Sequence, residues 1–183
     1  MIDGTEKPRT RRKIATRIAT LAVMAALLEA VKWALAVLPN VELVSLFCAL
    51  YGYVFGLIGV VPVCVFVCIE MLWWGVNTWV LEYFVHFPLI TLVFCLFRAL
   101  KVDKTPVFVA VITLLTAFFG VFTSFVDVVF FMGFEDFWRR FCIYYMRGIM
   151  FYVVHVVCNF VVFLLLFKPL AKLLEKLKLS IGF

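Results

Sequence analysis

The sequence predicts an all-α membrane protein, a bundle of six transmembrane helices, and three observations carry that prediction. Of its 183 residues, 67% are hydrophobic and the mean hydropathy is +1.16. Average soluble domains are about 45–50% apolar, and a soluble fold this small keeps too much surface wet to hide the excess. The apolar residues fall into six runs separated by Pro, Gly, Asn or charge. Finally, Lys and Arg collect in three groups that an even number of crossings places on one side.

The elements follow in order. Span 1 covers about residues 14–38 and stops at Pro39-Asn40; it is too long for the apolar region of a signal peptide and is read as a retained span. Span 2 covers about 41–56, and span 3 runs from Gly59 to Gly75. Span 4 covers about 78–98, with Pro88 inside it as an expected kink. Span 5 opens at Pro106, a favourable first-turn residue, and reaches about 130. Span 6 lies within about 145–168 and stops at Pro169. The tail repeats Leu170, Leu173, Leu174 and Leu177 between lysines, as does a helix lying on a membrane surface. One membrane domain accounts for the chain: a basic arm of about 1–13, spans over 14–168 and a tail over 169–183.

Orientation follows from the cations. Lys7, Arg9, Arg11, Arg12, Lys13 and Arg17 precede or open span 1. Arg98, Lys101 and Lys104 join spans 4 and 5, and Lys168, Lys172, Lys176 and Lys178 follow span 6. These thirteen of 17 basic residues predict both termini in the cytoplasm; the expected location is a bacterial cytoplasmic membrane. That distribution also explains the net charge of +6 without nucleic acid. The opposite face carries Glu42, Glu135 and Asp136, with Arg139 and Arg140 against the trend; the pair either neutralises Glu135 and Asp136 or binds a ligand.

Six cysteines, Cys48, Cys64, Cys68, Cys95, Cys142 and Cys158, all sit in apolar runs and read as small packing residues. No metal or cofactor is expected. No phosphate-binding loop, nucleophile elbow or zinc-binding helix motif occurs, so the chain carries no ATPase of its own.

Two patterns suggest function. In span 1, Ala22, Ala26, Ala30 and Ala34 recur every four residues, with Ala15 and Ala19 before them. Such a smooth face lets another helix approach closely. Gly52 and Gly56 form a shorter small-residue pair, assigned to internal packing. The second pattern is polar. Ionisable groups inside spans are costly, so each is a functional candidate. Glu29 and Lys32 either neutralise each other or face the interior, and Glu70 lies in span 3. Trp79, Glu82, Tyr83 and His86 share a face of span 4, Asp127 lies near the outer end of span 5, and Arg147, Phe151, His155 and Asn159 repeat every four residues in span 6. With Trp73, Trp74, Asn77, Tyr144 and Tyr145 they describe either an aromatic-walled ligand pocket or an interfacial belt above hydrogen-bonded core histidines. The candidate ligand-binding set is Trp74, Asn77, Trp79, Glu82, Tyr83, His86, Asp127, Tyr144, Arg147, Phe151, His155 and Asn159. An intramembrane enzyme using Glu82, His86, Asp127 or His155 for proton transfer, and a structural partner built on span 1, are the rival readings.

The alanine register, the turn Leu38-Pro39-Asn40-Val41-Glu42-Leu43-Val44-Ser45, and His155-x-x-x-Asn159-Phe160 followed by Phe167-Lys168-Pro169-Leu170 resemble the S-components of energy-coupling factor (ECF) vitamin transporters. The resemblance implies a six-helix, outward-facing cup that captures a vitamin. It implies docking through Ala22, Ala26 and Ala30 onto a transmembrane coupling subunit, with two ATPase subunits beneath. Glu29 and Lys32, beside the docking face, depart from the pattern. The resemblance points first to cobalamin or a related corrinoid, with a queuosine precursor, riboflavin and other vitamins as alternatives.

Overall fold

The computed structural model describes residues 6–183, so the first five residues of the basic arm, and the side chains of Lys7, Arg9 and Arg12, lie outside the described residues. Six α-helices follow in order: α1 (Glu6–Leu35), α2 (Val44–Phe55), α3 (Val60–Trp74), α4 (Thr78–Ala99), α5 (Thr105–Met132) and α6 (Phe137–Ile181), with a 3₁₀ turn at Gly56–Gly59 between α2 and α3. Among the described residues, five helical stretches are long and apolar enough to cross a membrane: Lys13–Leu35, Val44–Trp74, Thr78–Ala99, Thr105–Phe131 and Phe137–Ile181.

The count differs from six because spans 2 and 3 qualify only as one stretch. At about 1.5 Å per residue, α2 rises about 18 Å and α3 about 22 Å, each short of the roughly 30 Å hydrocarbon core. The chain nevertheless doubles back between them. Gly56 takes φ of 69°, and the backbone of Gly59 returns onto Tyr51 and Gly52. The α2 helix is buried along almost its whole length, which explains a sequence apolar on every side. It is the central post: Gly52 lies directly against the Thr91 carbonyl of α4, where any side chain would collide. The Gly52 position thus serves internal packing, as its sequence spacing indicates.

A second difference concerns Pro169. The α6 helix runs through it for 45 residues and ends at Gly182, so span 6 and the tail are one rod, not two pieces. Proline removes only one backbone hydrogen bond, and packing on both sides of it, by buried Phe167 and Ala171, holds the axis. The tail therefore docks on the bundle: Lys178 Nζ donates to the Val54 carbonyl at 2.8 Å, and the Phe183 ring packs on Phe55.

These contacts define two ends. At the basic end, Arg17 lies over Phe183 at 5.7 Å, Tyr53 OH donates to the Val102 carbonyl at 3.2 Å, and Lys168 pairs with Asp103 at 3.1 Å. The start of α1, the α4–α5 loop and the tail thus share one end, as the charge pattern requires. Phe94, Phe108, Phe163 and Phe167 fill the interior just inside it. At the aromatic end, Trp33 of α1 meets Trp73 and Trp74 of α3 at 5.8 and 6.1 Å.

Candidate functional site

The site lies toward the aromatic end, under the segment of residues 36–43 that joins α1 to α2. That segment crosses the bundle because Pro39 and Asn40 (φ 59°) break the helix. Its last turn delivers Glu42 to the interior. One carboxylate oxygen accepts from Asn159 Nδ2 at 2.9 Å and meets His155 Nε2 at 3.1 Å. The other accepts from the Ser45 backbone N–H at 2.8 Å and so caps the start of α2. Burial alone would push the Glu42 carboxyl up. The hydrogen bond and charge of His155, with the Ser45 contacts, outweigh it and hold the group at about 2, well below the ordinary carboxylate value.

Below Glu42 is a cavity of about 170 Å³. His86 and His155, with ring centroids 6.4 Å apart, line it together with Lys32, Tyr83 and Phe119. The His86 ring lies 4.6 Å from that of Phe119. Its Nε2 is buried without a hydrogen-bond partner, as are Ser45 Oγ and Asn159 Oδ1 on either side of Glu42. Buried polar atoms are nearly always satisfied, so the unpartnered nitrogen of His86, which lines the cavity, marks a place for a polar guest.

Lys32 forms the other wall. It makes an ion pair across to the fully buried Glu70 of α3. Its ammonium also lies 5.2, 5.5 and 5.9 Å from the rings of Trp79, Tyr83 and Trp74, an aromatic cage for a cation. The Lys32 charge is therefore turned toward α3 and the cavity. Its ion pair crosses between helices, where the sequence offered Glu29 one turn away.

The remaining predicted residues divide. Glu82 is buried one turn before His86 and accepts from Thr123 Oγ1 at 2.6 Å, while its second oxygen has no partner. Asp127 accepts from Thr78 Oγ1 at 2.6 Å, so both carboxylates tie α4 to α5. Asn77 caps α4 by accepting from Val80 N–H. The span 6 stripe separates: His155 and Asn159 are buried, whereas Arg147 and Phe151 are exposed and Tyr144 is half-buried. Each step of four residues drifts about 40° around a helix, so three steps turn Arg147 about 120° from Asn159. Tyr152 takes the inward place, sharing a hydrogen bond with Ser124 at 3.1 Å. Among the described residues no group of three His, Cys, Asp or Glu side chains is arranged to hold a metal ion. Ala22, Ala26 and Ala30 are all exposed, as are Ala15, Ala19 and Ala34.

Sequence reasoning left Glu42 and Phe119 out of the candidate binding set, and offered Lys32 only as facing the interior or neutralising Glu29. Glu42 carried a usable signal: a carboxylate three residues before a helical Ser, at the entry to a span with no other charge.

Comparison with known proteins yields no match: no family model, no curated protein and no solved structure aligns significantly with the chain.

Proposed function

We propose that the chain is the substrate-capturing membrane subunit of an ECF-type importer, holding a small vitamin or vitamin precursor beneath residues 36–43. The observation that carries this reading is the cavity itself, aromatic-walled, bordered by His86 with an unpartnered nitrogen and roofed by a segment that turns at Pro39-Asn40. Such a mixture of apolar walls and few convergent polar groups is what small-molecule sites require. The two sequence pieces that carry the family resemblance, the Leu38–Ser45 turn and His155-x-x-x-Asn159, also meet here through Glu42. The exposed alanine face of α1 supports docking through Ala22, Ala26 and Ala30 onto a transmembrane coupling subunit, with two ATPase subunits driving release.

In this reading α2 and α3 are two short crossings, making six in all, and both termini face the cytoplasm. The ligand is a compact ring system, such as a queuosine precursor, in preference to a corrinoid. A volume of about 170 Å³ falls below the roughly 300–1,000 Å³ of drug-sized ligand sites. Cobalamin would require the 36–43 roof to swing away, and riboflavin would require it to lift.

The test is to purify the subunit without added vitamin and identify co-purifying small molecules by mass spectrometry. A stoichiometric heterocycle, lost in His86→Leu while the protein stays folded, is the expected result. An empty protein that binds no member of a vitamin panel would overturn the reading.

A further inference from the structure

The basic end holds a second cavity, of about 500 Å³, between α4, the α4–α5 loop, α5 and α6. Its floor is aromatic, with Phe108 and Phe167 buried and their ring centroids 4.7 Å apart. Four cations border it, Arg98, Lys101, Lys168 and Lys172, against two anions, Asp103 and Glu175. The anions fix two of the cations: Arg98 pairs with Glu175 at 2.8 Å, and Lys168 with Asp103 at 3.1 Å. Arg98 is further held over the Tyr53 ring at 5.4 Å. The charges of Lys101 and Lys172 are left uncancelled at the rim.

A second observation concerns the same two helices. An apolar groove of about 610 Å³ runs along α5 and α6 between Pro106, Val109, Leu114, Phe160 and Leu164. Leu164 is one helical turn before Lys168, so the two lie on neighbouring parts of one face. A free phosphate would use only the basic cavity; a phospholipid would use its charge and the groove together. Basic pockets between helices at a membrane surface suit anionic headgroups.

We propose that this end of the bundle binds an anionic phospholipid, its phosphodiester against Lys101 and Lys172 and an acyl chain along the α5–α6 groove. The proposal stands independently of what the Glu42 cavity holds.

The full chain in detergent would be mixed with phosphatidylglycerol and phosphatidylcholine of identical acyl chains, and retained lipid counted by native mass spectrometry. Phosphatidylglycerol should be retained preferentially. Lys101→Ala with Lys172→Ala should weaken it by roughly fivefold per lysine. The exposed pair Lys104→Ala with Lys176→Ala, outside the cavity, should not. Equal retention of the two lipids, an undiminished preference in the first double variant, or an equal loss in the second would overturn the proposal. So would displacement of phosphatidylglycerol by millimolar inorganic phosphate, which would assign the cavity to free phosphate.

Discussion

The two ends of the bundle each hold a cavity bordered by charge, and they balance that charge in opposite ways. At the aromatic end Glu70 is buried, Lys32 and Glu42 are half-buried, and all are tied to neighbours: Lys32 to Glu70, and Glu42 to His155, Asn159 and the Ser45 N–H. At the basic end the groups are exposed or half-buried, two of the four cations are paired, and cations outnumber anions. A charge removed from water must find a partner or cost several kcal/mol, whereas a charge at the membrane surface is solvated and free to meet a phosphate. Removing a partner should therefore damage the aromatic end far more than the basic end.

The sharpest test is Glu42→Ala. It strips the anchor from His155, Asn159 and the first turn of α2 together, and should cost about 3–5 kcal/mol. Thermal unfolding of the purified protein in detergent reads this directly. Glu42→Gln keeps one acceptor, which can serve Asn159 or the Ser45 N–H but not both, and should cost less than Glu42→Ala. Equal stability of wild type and Glu42→Ala would mean the 36–43 segment is not fastened by its carboxylate.

Next is Glu70→Ala, which leaves the Lys32 ammonium with its aromatic cage but without its ion-pair partner across to α3. A loss of about 3 kcal/mol is expected. Lys32→Met combined with Glu70→Leu should recover most of it, because an apolar pair needs no compensation there. A double variant as unstable as Glu70→Ala alone would break the comparison between the two ends.

The third effect depends on pH. The Glu42 carboxyl is lowered in the folded protein, so its contribution is fully present above the ordinary carboxylate value near 4.5 and is lost as pH falls toward about 2. Hydrogen-exchange protection of residues 36–45, taken relative to the intrinsic rate at each pH, should therefore fall as pH drops from about 4.5 toward 2, while protection in the α2–α4 contact around Gly52 is kept. Simultaneous release of both regions would show that the segment is not a separate unit.

The parts legible in the sequence were those set by periodicity and composition. The helices α1, α4 and α5 fall close to their expected places, and so does the clustering of the three basic groups. The short α2 and α3 were bounded well, because Gly56 and Gly59 punctuate them. Whether they count as two crossings depends on depth, which composition does not encode. Pro169 misled because a proline stops an isolated helix, whereas here packing of Phe167 and Ala171 carries the helix past it. In the site, His86, His155, Tyr83 and Asn159 were identified as ionisable or polar groups inside spans. Glu42 was not, since it lies in a loop by sequence and reaches the interior only because Asn40 turns the chain inward. Arg147 was grouped with Asn159 by a spacing of four that drifts around a long helix.

The smallest expected effect on stability isolates the surface that neither cavity uses. Ala26 is exposed on α1, and it belongs to a row of alanines that leaves no side chain projecting. Ala26→Leu should change the unfolding of the isolated chain by less than about 0.5 kcal/mol, as expected for a surface site away from special features. It should leave ligand retention at His86 intact. If the row is a docking face, the same change places a bulky group where a partner helix must approach closely, and co-purification with a coupling subunit should fall sharply. Stable recovery of the assembled complex from Ala26→Leu would remove the alanine row from docking. Loss of ligand along with loss of assembly would show instead that α1 supports the Lys32 wall through its opposite face.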